Sequence, residues 1–387
     1  MKKIQDTDIS NKKVLVRVDY NVPMDGGTIT DDERIKASLE TINYLLSKNN
    51  SVIICSHLGR PEGRPNILFS LKPIVNELEM LIKKSVQFSD SCVGAERDRK
   101  IQNLKTGEIL LLENVRFCTG EETNDPTFAS DLAKGCDVYI NDAFSASHRE
   151  HASIVGVAKI IDSYAGFCLQ KEVENLSKIL IEPKRPLALV LGGAKISDKI
   201  DLLDNLIDKI DTLILGGAIA NTFLLAKGLM MEKSVVEVSS VEVVKEILKN
   251  TNDRNVDVFL PEDVLVGKSV DDNIAVDKQS SQLVANEMIL DIGESTIMQN
   301  SNGLQFAETI FWNGPMGYTE NPIFRNGTIA TAKAIISSSA FSVVGGGDTI
   351  AALPGNMKEQ FGYVSMAGGA SLEFLSGKTL PGVKVLE

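Results

Sequence analysis

The sequence predicts an α/β protein of two halves, each a layer of buried parallel strands wrapped by crossover helices. Three observations carry that expectation. Short Val-, Ile- and Leu-rich runs recur along the chain, stretches of helical periodicity separate them, and the runs of the two halves end in different chemistry. Those of the second half stop at glycines, in Leu187-Ala-Leu-Val-Leu-Gly-Gly-Ala-Lys195, Leu213-Ile-Leu-Gly-Gly-Ala218 and Phe341-Ser-Val-Val-Gly-Gly-Gly-Asp-Thr349. Those of the first stop at Arg, His, Asn and Asp, in Val14-Leu-Val-Arg-Val-Asp-Tyr-Asn-Val-Pro23 and Val52-Ile-Ile-Cys-Ser-His-Leu-Gly-Arg-Pro61.

Taken in order, the first half suggests strands near 14–19, 52–56, 109–112 and 137–141. Between them, helices fit Asp32 to Lys48 and Leu71 to Lys83, the second with Pro73 in its first turn, where a missing N–H costs nothing. Phe167, Leu169, Val173, Leu176 and Leu180 then recur at helical spacing until Glu182-Pro-Lys-Arg-Pro186 stops the helix. This stretch, 166–182, is expected to be a stiff connector between a domain over 1–165 and one over 183–374, suited to hinge closure. In the second half, strands fit 187–191, 212–215, 309–312 and 341–344, with a helix after each glycine turn.

A chain of 387 residues is too long for one ordinary core, and 43% hydrophobic with 24% charged residues describes a packed globular protein. The net charge of −12 is unevenly spread: residues 1–165 hold 21 Lys and Arg against 24 Asp and Glu, the remainder 19 against 28. Such acidity argues against nucleic acid and anionic membranes as partners. Yet His57, His148 and His151 all lie in the first half, with eight of the eleven arginines, so a local site for an acidic small molecule is expected there. Five cysteines, odd in number and without a CxxC pair, read as reduced core thiols of a cytoplasmic protein. No apolar segment follows the N-terminus or approaches the roughly 18 residues of a membrane span.

Ligands of open parallel sheets bind beyond the carboxyl ends of the strands. In the first half those positions hold Asp19, Asn21, His57, Arg60, Asn114, Arg116 and Asp142, then His148, Arg149 and His151. Any one such arginine more often reaches into solvent; several together indicate a basic site. Arg34 joins them, although a cation at a helix start opposes the dipole. His148 and His151 have a spacing found in zinc sites but lack a third ligand. Without Cβ, the glycine turns of the second half let peptide N–H groups approach phosphate, and the helix that follows adds its positive end. Gly377-Lys-Thr379 is not a P-loop, because Leu372 stands where the earlier glycine belongs, and no strand carries GxGxxG with an acidic partner. Lys195 and Lys199, four apart, are expected on one helix face, where an anion would relieve their repulsion. Asp348 suits Mg²⁺ held mainly by phosphates.

Together these segments resemble phosphoglycerate kinase over nearly the whole chain. Val18-Asp-Tyr-Asn-Val-Pro23, Ser56-His-Leu-Gly-Arg-Pro61, Glu113-Asn-Val-Arg-Phe117, Asn141-Asp-Ala-Phe144 with His148-Arg149 and His151, Gly192-Gly-Ala-Lys195, Trp312-Asn-Gly-Pro315 and Gly345-Gly-Gly-Asp-Thr349 stand in the order of that family. The resemblance implies two doubly wound, Rossmann-like parallel-sheet domains facing across a cleft, joined by a helix, with segment 375–387 returning to the first domain. It implies reversible transfer of a phosphoryl group from 1,3-bisphosphoglycerate to Mg²⁺-bound ADP, giving 3-phosphoglycerate and ATP, by a monomer. Asp19, Asn21, Arg34, His57, Leu58, Gly59, Arg60, Arg116 and Arg149 would then face phosphoglycerate. Lys199, Gly216, Gly217, Gly293, Glu320, Gly346, Gly347, Asp348 and Thr349 would face the nucleotide. Arg34, Lys195, Gly368 and Gly369 would meet the transferring group. Ser365-Met-Ala-Gly-Gly-Ala370 departs from the family's Ser-Thr-Gly-Gly-Gly-Ala. An NAD-dependent dehydrogenase and a non-catalytic binding relative are the competing readings.

Overall fold

Every apolar run named above forms a strand, and hydrogen bonding sorts the strands into two parallel sheets. The computed structural model describes all 387 residues and divides into two units, Met1–Glu174 with Thr379–Glu387, and Asn175–Lys378.

The first unit contains β1 (Lys13–Arg17), β2 (Ser51–Cys55), β3 (Val86–Ser89), β4 (Ile109–Leu112), β5 (Val138–Asn141) and β6 (Asp162–Ala165). They pair in parallel in the order β3-β4-β2-β1-β5-β6. Alternation along each strand feeds two cores. Val14, Val16, Val52, Ile54, Ile109 and Leu111 pack on one face with Ile35, Ile42 and Leu45 of helix Glu33–Ser47. Leu15, Ile53, Leu110, Leu112 and Tyr139 pack on the other with Ile101, Phe128 and Leu132. Val14, Leu15 and Val16 have no exposed surface, and burying each such side chain is worth about 1.5–3 kcal/mol. The edge strands β3 (Val-Gln-Phe-Ser) and β6 (Asp-Ser-Tyr-Ala) escape a search for unbroken apolar runs because they alternate with polar residues. Helix Phe167–Leu180 follows β6. The C-terminal tail returns to this unit, where Gly382 N donates to Ser147 O (2.8 Å) and Lys2 N to Leu386 O (2.7 Å).

The second unit contains β7 (Leu187–Leu191), β8 (Thr212–Leu215), β9 (Asp257–Phe259), β10 (Asp263–Gly267), β11 (Val276–Gln279), β12 (Met288–Ile292), β13 (Thr309–Asn313), β14 (Phe341–Gly345) and β15 (Tyr363–Ser365). Six form a parallel sheet, β9-β8-β7-β13-β14-β15, and three a small antiparallel sheet, β11-β10-β12. Each unit is thus doubly wound, its connections running out to both edges from a switch point, β1/β5 in the first and β7/β13 in the second.

A helix does start directly after the glycines of β8, at Gly217–Ala226, and after those of β14, at Gly347–Ala352. After β7 it does not. Gly193, at φ +91°, donates its N–H to Pro315 O (2.8 Å) and accepts from Ile219 N (3.1 Å), so its hydrogen bonds run across turns instead of along a helix. The helix begins only at Ile200. Lys195 therefore lies outside it and Lys199 caps it; the two do not share a helix face, and the repulsion argument for an anion between them fails. Gly314 is likewise followed by irregular chain and a single 3-10 turn at Pro322–Phe324, with an α-helix only at Asn326–Ser337.

Candidate active site

In the first unit, the ends of β1, β2, β4 and β5 bring several of the expected residues into one hydrogen-bonded group. The Asp19 carboxylate pairs with Arg34 and accepts from Ser145 Oγ and from Asn21 N (2.9 Å). Burial alone would raise this carboxyl; the Arg34 guanidinium, with the hydrogen bonds from Ser145 and Asn21, outweighs it and holds it at about 2. Arg34 is thus answered by an anion from another strand end, which accounts for a cation at the start of its helix. Asn21 Oδ1 accepts from Gly59 N (2.9 Å), and Gly59 O accepts from Arg116 Nη1 (2.9 Å). Gly59 has φ +62°, and a Cβ there would lie 2.4 Å from the Phe69 ring, so only glycine fits. Leu58 is buried, and its carbonyl accepts from Asn114 Nδ2 (2.7 Å). Arg149 is exposed with its Nε on His148 Nε2 (2.9 Å), close enough to Arg116 for their charges to repel. Arg60 is exposed, and no hydrogen bond or ion pair draws it into the group.

Beneath this group lies a charged layer that the sequence reading did not assign. Arg17, inside β1 and fully buried, donates from Nε to Ser153 Oγ (2.9 Å) and sets Nη2 against His57 Nδ1 (3.2 Å). Ser153 in turn donates from Oγ to Glu121 Oε1 (2.6 Å) and from N to Oε2 (2.8 Å). Burial, then repulsion by Arg17, depresses His57 well below the ordinary imidazole value; burial and Arg116 bring His151 to about 4. Burial pushes Glu121 up. The visible signal was one arginine within an apolar strand, since a fully buried charge needs a partner; nothing local marks Glu121 or Ser153.

In the second unit, a cavity of 310 Å³ opens at the switch point between β7 and β13. Its walls are mainly apolar, from Val235, Val270, Met288, Leu290 and Tyr318, with Gly193 and Gly217 at the turns and Glu320 and Asp348 as exposed carboxylates. Such a cavity with few polar groups suits a base and sugar.

The glycines divide into two kinds. A Cβ on Gly192 would lie 2.1 Å from Pro315 O, and one on Gly217, at φ +59°, 2.8 Å from Gly193 N. The amides of these turns are already used: Gly192 N donates to Asn313 O (3.1 Å), Gly216 N to Leu191 O (2.9 Å) and Gly217 N to Met316 O (2.8 Å). These glycines let three turns pack on one another, and Gly216 and Gly217 do not offer N–H groups to a ligand as expected. Gly347, Gly368 and Gly369, by contrast, have nothing within 4 Å of a built Cβ. Gly347 and Gly369 open helices whose first amides have no partner within the helix. Gly346 holds φ +98° just before. Gly293 is buried against Asp263, which caps its helix through Ser295 N (2.8 Å) and Thr296 N (2.7 Å), and it is absent from the cavity wall. Thr349 is fully buried, its hydroxyl accepting from Gly314 N (2.8 Å).

Lys199 is buried with Nζ on Asn313 Oδ1, and burial, opposed by Asp198 and Asp348, lowers it to about 8. Lys195 is exposed. No group of three or more His, Cys, Asp or Glu side chains that could hold a metal ion converges anywhere, and Asp348 stands exposed at the cavity with Glu320. No helix is long and apolar enough to cross a membrane.

The family model described as phosphoglycerate kinase matches residues 4–378. A phosphoglycerate kinase of Moorella thermoacetica is 46% identical over 389 residues, covering 99% of this chain and 98% of its own, and one of Finegoldia magna is 44% identical, covering 100% and 99%. Among solved structures, phosphoglycerate kinase from Coxiella burnetii superposes with TM-score 0.88 at 41% identity, covering 99% of this chain and 98% of its own. That from Pyrococcus horikoshii also has TM-score 0.88, at 33% identity, covering 100% and 98%.

Proposed function

This chain belongs to the phosphoglycerate kinase family, and on that premise we propose that it transfers a phosphoryl group reversibly between 1,3-bisphosphoglycerate and ADP. The bond from phosphorus to the carboxyl oxygen breaks as a bond to the β-phosphate oxygen of ADP forms, leaving 3-phosphoglycerate and ATP. The observation that carries the reading is that one chain holds two unlike half-sites: guanidinium groups around Asp19, and an apolar cavity beside open glycine turns.

Phosphoryl transfer asks for in-line positioning and for charge to neutralise three equatorial oxygens, with little covalent work by the protein. Arg34, His57, Arg60, Arg116 and Arg149 are proposed to hold phosphoglycerate, with Asp19 and Asn21 fixing Arg34 and the Gly59 turn. Lys199, Glu320, Asp348 and the 346–349 turn are proposed to hold the nucleotide. Arg34, Lys195 and the amides at Gly368 and Gly369 are proposed to meet the transferring group, a reading supported by the open space at those glycines. Mg²⁺ enters with the nucleotide as substrate and neutralises phosphate charge beside Asp348. His57 is given no role as a nucleophile. The chemistry requires the two half-sites to meet, so domain closure is part of the proposal, as are a monomeric state and a cytoplasmic location.

The strand order of the second unit, β9-β8-β7-β13-β14-β15, is also that of dinucleotide-binding sheets. Order alone assigns no chemistry, and the family match disfavours the dehydrogenase. The test is a coupled assay with 3-phosphoglycerate and MgATP, together with thermal unfolding in MgADP or NADH. Turnover, with protection by MgADP alone, is expected; a chain that binds both ligands without turning over would be a non-catalytic relative.

A further inference from the structure

Two of the five free thiols touch. Cys92 Sγ lies 3.0 Å from Cys118 Sγ, although 26 residues separate them along the chain. Cys92 sits just before helix Ala95–Asn103, and Cys118 joins the turn Val115–Phe117 to the short helix Thr119–Glu122. Cys92 is buried and Cys118 half-buried. Both line a cavity of 510 Å³ whose other walls include Asn66, Ile67 and Asp90. Those three residues are exposed, so the cavity opens to solvent and a small reagent can reach the sulfurs.

The pair is also chemically asymmetric. The hydrogen bond between them, before burial, raises Cys92 well above the ordinary thiol value, and the same bond lowers Cys118 against the effect of its own burial. When the pair ionises, the proton therefore stays on the inner sulfur and the charge falls on the outer one, the order needed for an attacking thiolate beside a resolving thiol. The remaining thiols lack both features. Burial pushes Cys55 up to about 12 and Cys136 up to about 11, and Cys168 is raised well above its usual value, also by burial.

We propose that Cys92 and Cys118 form an exchange-active dithiol, a site that takes low-molecular-weight disulfides and closes to an intramolecular disulfide. The Cys118 thiolate attacks one sulfur of R–S–S–R, forming a mixed disulfide and releasing RS⁻. Cys92 then loses its proton and its sulfur attacks Cys118 Sγ, forming the internal S–S bond and releasing the second RS⁻. Two thiols are oxidised to one disulfide, one external disulfide is reduced to two thiols, and the two protons leave on RSH.

The test incubates the reduced full-length chain with oxidised glutathione, alkylates what remains, and maps the peptides by mass spectrometry. A linked Cys92–Cys118 peptide is expected, with alkylatable thiols falling from five to three and restored by dithiothreitol. Cys92→Ser should stop at one glutathione on Cys118, and Cys118→Ser should leave Cys92 unmodified. Should either variant fail to fold, the wild-type map decides alone, with urea-unfolded chain as the control for random pairing. Native chain in which Cys118 keeps its glutathione while Cys92 is alkylated, or in which neither thiol reacts, overturns the proposal.

Discussion

Arg17 Nη2 stands 3.2 Å from Nδ1 of His57, with both side chains buried. A guanidinium can only donate, so Nδ1 must present its lone pair and the imidazole proton sits on Nε2. His57 is thereby a neutral donor, held well below its ordinary value by burial and then by Arg17. The buried arginine sets the tautomer of a residue proposed to touch substrate, and it does so from a layer below.

Replacing Arg17 by methionine should release His57 and leave Glu121 without its buried countercharge. Removing one partner of such a group costs about 3–5 kcal/mol. Urea unfolding reads the loss, and histidine NMR titration should show His57 moving upward. An unmoved His57 signal would reject the tautomer assignment.

His151 predicts an acid limb to stability. Its folded value is about 4 against 6.5 when free, so the unfolded chain binds more protons between those values. Stability is full above pH 6.5 and falls as pH drops through that window. Measured against pH, the urea midpoint of His151→Gln should fall less steeply there than that of wild type.

Asp142 predicts the opposite slope. Burial pushes its carboxyl up to about 7, although it accepts from Cys168 N (2.8 Å) and Leu169 N (3.3 Å) at the start of helix Phe167–Leu180. The folded chain then binds the extra proton, and stability is lost as pH rises from 3.8 toward 7. Asp142→Asn removes that titration and should gain up to about 4 kcal/mol over wild type at pH 8, with no gain near pH 3. Equal curves at both pH values would exclude a neutral Asp142.

The two kinds of glycine separate by alanine substitution. Gly217→Ala forces a Cβ to 2.8 Å from backbone at positive φ and should cost about 2–3 kcal/mol. Gly347→Ala meets open space and should change stability by less than about 1 kcal/mol. Weakened MgADP binding by Gly347→Ala, read by calorimetry, would then report contact with the nucleotide directly.

Lys199 loses its charge near pH 8. If it faces the phosphates, MgADP affinity falls as pH rises from 7 to 9, and Lys199→Arg, charged throughout, flattens the profile. Arg34→Ala and Lys195→Ala should each cost turnover about 10²–10³-fold if they stabilise the transferring group. Turnover within about threefold of wild type would remove either residue from that role.

Much of this protein was legible from local pattern. Two sheets of buried strands, the glycine turns, and the polar strand ends at Asp19, His57 and Arg116 follow from runs of apolar residues and from what stands after each run, because parallel strands bury both faces and leave polar side chains to the loops beyond their carboxyl ends. What Gly216 and Gly217 do was not legible: whether a glycine admits a phosphate or a neighbouring turn depends on what stands opposite, here Pro315 and Met316 of the turn that follows β13. Nor could spacing separate Lys195 from Lys199, since hydrogen bonds across turns delayed the helix. The Arg17–Ser153–Glu121 layer and the Cys92–Cys118 contact belong to tertiary structure alone, because each joins residues whose proximity is created by the order in which the strands pair.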